Sequence, residues 1–288
     1  VLHEIGTGKI SVPIASPLTG PVLFDGQNFV LANQNTIQAV NSQGKQVWQV
    51  EAPGVPMAAT QLMEGKLYFS VNEAEKSRVL CLDKVDGELL WSAPLDSPPT
   101  ARPLLAQGES ALVVVATEKG ELRAFNAAGG QAVWSQTLSS PVFIEPAAGY
   151  GKIALVRANG SVTMHSLSDG KKEWEIGLGT QLIAPPTVTS SGVLVPSKDT
   201  YLYHLNHTKG DISWKTRLSK VLSEPAVVAG QTVAQSDEGG AVHLLELSDG
   251  ALKQTQAVSG SKVSQVTMFE RRWALMDDCG TCRGYQVP

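Results

Sequence analysis

The side chains best suited to chemistry in this sequence are few, and their spacing narrows what they can do. Cys279 and Cys282 bracket Gly280-Thr281. A thioredoxin-like pair lowers its thiol pKa at a helix N-terminus, whereas this pair flanks a hairpin turn. A zinc site needs two further ligands, and the third cysteine, Cys81, lies several repeats away. A small turn-closing disulfide between Cys279 and Cys282, or two free thiols, are the readings left open, and an oxidising compartment favours the disulfide. His165, His204 and His243 stand five, six and seven residues before a recurring glycine, so they form no cluster and read as packing or surface histidines. Asp237-Glu238-Gly239-Gly240 lacks calcium-loop spacing and reads as a hairpin turn. Neither a Gly-x-Ser-x-Gly elbow nor a His-Glu-x-x-His zinc helix is present.

Three charged residues have the stronger claim to binding. Arg102, Glu145 and Glu224 each precede a proline at the start of a repeat, where other copies carry Gly20, Ala59, Pro185 or Pro186, and Ser264. In a ring of repeats these positions face the mouth of the axial channel. The loops carrying them, such as 96–100 and 139–144, are the longest and most apolar connections. Long loops displayed on a rigid scaffold are where binding concentrates.

The elements that must position them come from a repeat. Gly44 and Trp48, Gly87 and Trp91, Gly130 and Trp134, Gly170 and Trp174, and Gly210 and Trp214 are five Gly-x-x-x-Trp units. Successive tryptophans are 43, 43, 40 and 40 residues apart, and a sixth copy has Gly250 followed by Gln254. Aligned on that glycine, the units show a proline near the start in several copies, a glycine turn such as Gly151 or Gly230, an apolar run, and a second turn such as Gly120, Gly160 or Gly240. Four short apolar or alternating runs separated by Gly, Asn, Asp and Ser turns are four strands, and nothing carries apolar residues at helical spacing. Four strands in about 40 residues is a β-propeller blade. WD40 propellers share the period, but the tryptophan here follows glycine on the last strand, where it is expected to act as an apolar wedge between blades.

The ends set the count. Residues 264–288 supply three more strands, and the segment Val1 to Gly8 resembles a fourth strand, with His3 in the tryptophan register. The expectation is an all-β, seven-bladed β-propeller of four-stranded antiparallel blades. Residues 1–288 would form one domain, its ring closed by strand 1–8 joining the last blade, which would remove exposed sheet edges.

Composition excludes other classes. The formal net charge of −4 lacks the basic stripe that phosphate binding needs, so no nucleic-acid partner is expected. No apolar run approaches the ~18 residues of a membrane-spanning helix. The sequence opens at Val1 without an initiator Met, as in a processed form whose targeting segment has been removed.

The strand–turn–strand unit ending in Gly-x-x-x-Trp resembles the quinoprotein-type (PQQ-like) repeat over essentially the whole chain. Within that group the ending Trp273 to Gly280, through Tyr285, is similar in layout to the final blade of the BamB family of envelope lipoproteins. That family implies eight blades and a lipidated N-terminal cysteine, where this chain shows seven blades and Val1. The resemblance implies a non-catalytic, monomeric scaffold of the periplasm or cell envelope. It would bind a protein partner, such as an outer-membrane assembly component, through loops on one face. The alternative it implies is a quinone or small-ligand binding propeller related to PQQ-dependent dehydrogenases. Such an enzyme requires a calcium-type site and commonly a vicinal Cys–Cys disulfide, and no adjacent cysteines occur here. No cofactor is therefore expected.

Overall fold

The computed structural model describes residues 2–4, 8–10, 18–19, 22–56, 61–73, 76–257, 263–269, 272–277 and 282–286. Among them every regular element is a strand. The chain divides into two compact units, Val1–Phe143 and Ile144–Pro288, each built of consecutive antiparallel sheets. The first unit holds blade 1 (23–51), blade 2 (55–95) and blade 3 (104–137), and the second holds blade 4 (147–177), blade 5 (187–217), blade 6 (227–257) and blade 7 (263–286).

Blade 3 shows the pattern. Leu104–Gln107, Ala111–Ala116, Glu121–Asn126 and Ala132–Thr137 pair in chain order, each with the next. The second strand is almost wholly buried, while the fourth alternates with period two, as an edge strand with one covered face must. In blades 1 to 6 the pairing of third and fourth strands slips by one residue directly after the pair at the tryptophan position, as at Ala124/Phe125 and Met164/His165. A bulge there sharpens the local twist of the outer strands.

Trp48, Trp91, Trp174 and Trp214 are the wedges expected from sequence. Within the first unit, the indole N–H of Trp48 donates to Lys84 O at 2.9 Å and that of Trp91 to Ala127 O at 3.0 Å. Within the second, Trp174 donates to His207 O at 2.7 Å and Trp214 to Leu247 O at 2.9 Å. Each acceptor sits in the following blade, just before that blade's repeat glycine. The glycine explains the other half of the motif: Gly87, Gly130, Gly210 and Gly250 have φ between +71° and +78°. A Cβ at Gly130 would lie 2.6 Å from Trp91. Left-handed backbone and a ring pressed on the Cα leave room for no other residue.

Two details depart from expectation. Blade 2 begins with two short strands, Val55–Pro56 and Gln61–Met63, both paired to Lys66–Asn72, in place of one first strand. Leu2–Glu4 pairs antiparallel with Gly8–Ile10, Leu2 opposite Ile10. Neighbours in sequence pair at the least loop-closure cost. The described pairings of Cys282–Gln286 are with Arg272–Asp277, so the expected closure of the last blade by strand 1–8 does not emerge from them.

Candidate interaction site

The connections from the fourth strand of one blade to the first strand of the next are long on entering blades 3 to 6, and several of their backbones are held. After blade 2, Arg123 Nη2 fixes Asp96 Oδ2 at 2.9 Å, Pro98 O accepts from Glu118 N at 2.8 Å, and Thr100 N donates to Ala116 O at 2.9 Å. In the second unit Lys198 N donates to Gln181 O at 3.1 Å, and Glu238 N to Val221 O at 3.0 Å. The connections entering blades 3, 5 and 6 are thus laced to the turn between the second and third strands of the blade they enter. Val142, Leu182 and Leu222, at the same place in three successive connections, are completely buried anchors. The residue after the anchor points the other way: Phe143 is 68% exposed and Ile183 40%. Apolar side chains held outward on a hydrogen-bonded loop are pre-organised for contact, because little loop entropy remains to be lost on binding.

Arg102 lies in the first unit, and Glu145 and Glu224 in the second. All three are half-buried. Arg102 and Glu145 stand two residues before their first strands, Leu104–Gln107 and Ala147–Gly149, whereas Glu224 stands three before Val227–Ala229. Glu224 therefore occupies the bend that Ala101, Ile144 and Ala184 fill elsewhere, and the three charged residues do not share one register. Burial raises the Glu224 carboxyl above the ordinary carboxylate range. Its backbone oxygen accepts from the buried Gln235 Nε2 at 3.0 Å.

The histidines occupy three successive registers: His243 opposite Thr255, His204 opposite Trp214, and His165 opposite Lys172. All are buried, each in its own polar setting. His165 Nδ1 meets Gly170 O at 2.9 Å, and His204 Nε2 meets Ser191 Oγ at 3.1 Å, its ring stacked on Trp214. His243 is different, lying between Asp237 Oδ2 at 2.9 Å and Thr255 Oγ1 at 3.0 Å. In the sequence Asp237 reads as a turn residue only. The fixed intervals to His243 and Thr255 on adjacent strands are the signal that links them.

Among the described residues no three His, Cys, Asp or Glu side chains gather as a metal site. No helix among them is long and apolar enough to cross a membrane. Cys81 is a buried free thiol whose pKa burial pushes up to about 11. The expected pairing of Cys279 with Cys282 lies outside the described residues, Cys282 being described through its backbone alone.

Known proteins converge on the same architecture. BamB from Moraxella catarrhalis superposes with a TM-score of 0.74 at 18% identity, covering 94% of this chain and 86% of that one. Sqt1 of Saccharomyces cerevisiae gives 0.74 at 13% identity over 92% and 82%, and the computationally designed protein Ika8 gives 0.65 at 13% over 96% and 99%. Likeness at this identity carries the fold, a seven-bladed β-propeller in this chain, and not the activity. No curated protein sequence matches. The family model described as outer membrane protein assembly factor BamB matches residues 75–180 and 118–272. With a PQQ-like repeat along its sequence and more than half its length matched, the chain belongs to the BamB family of outer membrane protein assembly factors.

Proposed function

We propose that the chain is a non-catalytic, monomeric scaffold of the bacterial cell envelope. It binds a protein component of outer-membrane assembly through the loops that join its blades. Family membership supports the scaffold class, and one observation carries the surface: Phe143 and Ile183 stand exposed directly after the fully buried anchors Val142 and Leu182. Exposed aromatic and branched side chains seated beside buried anchors can dominate binding energy. Arg102, Glu145 and Glu224, at the starts of blades 3, 4 and 6, supply polar contacts to the same partner.

The doubly substituted protein Phe143→Ser, Ile183→Ser tests this. Both side chains are exposed, so unfolding free energy stays within about 0.5 kcal/mol of the parent. Retention of purified outer-membrane assembly components on the immobilised protein falls at least ~30-fold, as two lost anchors of about 1 kcal/mol or more each require. Unchanged retention with an intact fold contradicts the proposal.

A further inference from the structure

In blades 4 and 6 the first residue of the turn between second and third strands is followed at the same intervals by a third-strand residue and its partner on the fourth strand. In blade 4 the three are Arg157, Thr163 and Glu175, and in blade 6 they are Asp237, His243 and Thr255. Only the blade 6 set forms a carboxylate–imidazole–hydroxyl chain. Asp237 Oδ1 accepts from Gly239 N at 2.9 Å and Ala241 N at 3.1 Å, which fixes the carboxylate. Its other oxygen, Oδ2, accepts from His243 Nε2 at 2.9 Å. A carboxylate only accepts, so in the neutral imidazole the proton sits on Nε2 and Nδ1 keeps its lone pair facing Thr255. The Thr255 hydroxyl lies 3.0 Å from that nitrogen and donates to it in this tautomer. Side-chain exposure is zero at Asp237 and 2% at His243, while Thr255 is exposed on the outer strand, so the chain runs from the interior to the surface. Blade 4 builds the same strand register from an arginine, a threonine and a glutamate, so the blade does not need this array to fold.

From this geometry we propose that Thr255 is an activated hydroxyl, the acceptor site for an acyl group from an activated ester. Thr255 Oγ attacks the ester carbonyl carbon while its proton passes to His243 Nδ1. The bond from that carbon to the leaving oxygen breaks, and the alcohol departs with the proton His243 holds. The product is an ester on Thr255, with no change of oxidation state. Asp237 is the positioning residue: it stays a carboxylate and holds the tautomer.

The test uses the intact protein and p-nitrophenyl acetate, with acetylation of each hydroxyl followed in time by peptide mass mapping. Ser135 is the internal reference. It holds the corresponding place on the fourth strand of blade 3, is exposed, and donates to Glu121 Oε1 at 2.6 Å rather than to an imidazole. Thr255 is expected to acquire acetyl at least ~100-fold faster than Ser135, the lower end of what a positioned general base contributes. His243→Gln brings Thr255 down to the Ser135 rate, and Asp237→Asn slows Thr255 without moving Ser135. Equal rates at Thr255 and Ser135 in the parent, acetyl confined to lysines, or an unaltered Thr255 rate in folded His243→Gln would overturn the proposal. If a variant fails to fold, the ratio in the parent decides alone.

Discussion

Gly87, Gly130, Gly210 and Gly250 are each constrained twice, by their own backbone and by the indole of the preceding blade. At Gly130, with φ of +74°, alanine would incur the left-handed penalty of about 1–2 kcal/mol and also drive a methyl into Trp91. Gly130→Ala is expected to destabilise by more than about 2 kcal/mol in urea titration. Gly177→Ala, where nothing lies within 4 Å and φ is unstrained, should stay within about 0.5 kcal/mol. His204 makes a second prediction. Its ring lies 5.2 Å from that of Trp214 at 10°, and burial first, then His207, depress its pKa to about 4. The unfolded imidazole takes its proton near 6.5. The unfolded state therefore binds more protons between these values, and stability is full above about 6.5, declines as pH falls to about 4 and is level below. The full swing is on the order of 3 kcal/mol. Met164 holds the equivalent place against Trp174. Accordingly His204→Met should flatten the melting temperature between pH 6.5 and 4, and an unaltered slope would place the titration elsewhere. The Gly–Trp pairing was legible in the sequence as spacing within one unit. That Gly87, Gly130, Gly210 and Gly250 receive the tryptophan of the previous unit was not, because that contact crosses a whole repeat.

At the scale of blades, the lattice breaks at Gln254 and is repaired from the other side. Trp273, on the second strand of blade 7, is 1% exposed and packs with Ala234, Val242 and Leu244 of blade 6. It also stacks on Tyr285 at 4.3 Å and 17°. Trp273→Ala is expected to cost about 3–5 kcal/mol, as deletion of any buried tryptophan does. A loss below about 1 kcal/mol would show the seam to be held otherwise. The displaced sixth tryptophan looked like an exception to the repeat, and only its contacts show it filling the same kind of seam. The register of the charged candidates failed for a related reason. Proline tolerates either of two places before a first strand, where its missing N–H has no ladder partner. Pro225 sits one place earlier than Pro103 and Pro146, so alignment on proline moved Glu224 out of line with Arg102 and Glu145. The Asp237–His243–Thr255 chain was hidden because its members are distant in sequence and each resembles an ordinary turn or strand residue.

For the whole chain, period, turn chemistry and the lack of helical patterning were enough to read the blade, since every level of the sequence points to one element type. Function is less legible, because a propeller fold hosts many activities and its binding residues lie in loops whose exposure follows from packing rather than pattern. The scaffold reading therefore stands or falls on whether the connecting loops meet a protein. The direct measurement is photo-crosslinking in intact envelopes with benzoylphenylalanine at position 143, at 183, and at 252, where Leu252 is exposed on the outer strand of blade 6. The expected result is protein adducts at 143 and 183 that contain an outer-membrane assembly component, with none at 252. Adducts at 252 alone, or none at 143 and 183 with the protein folded and present, would contradict the account.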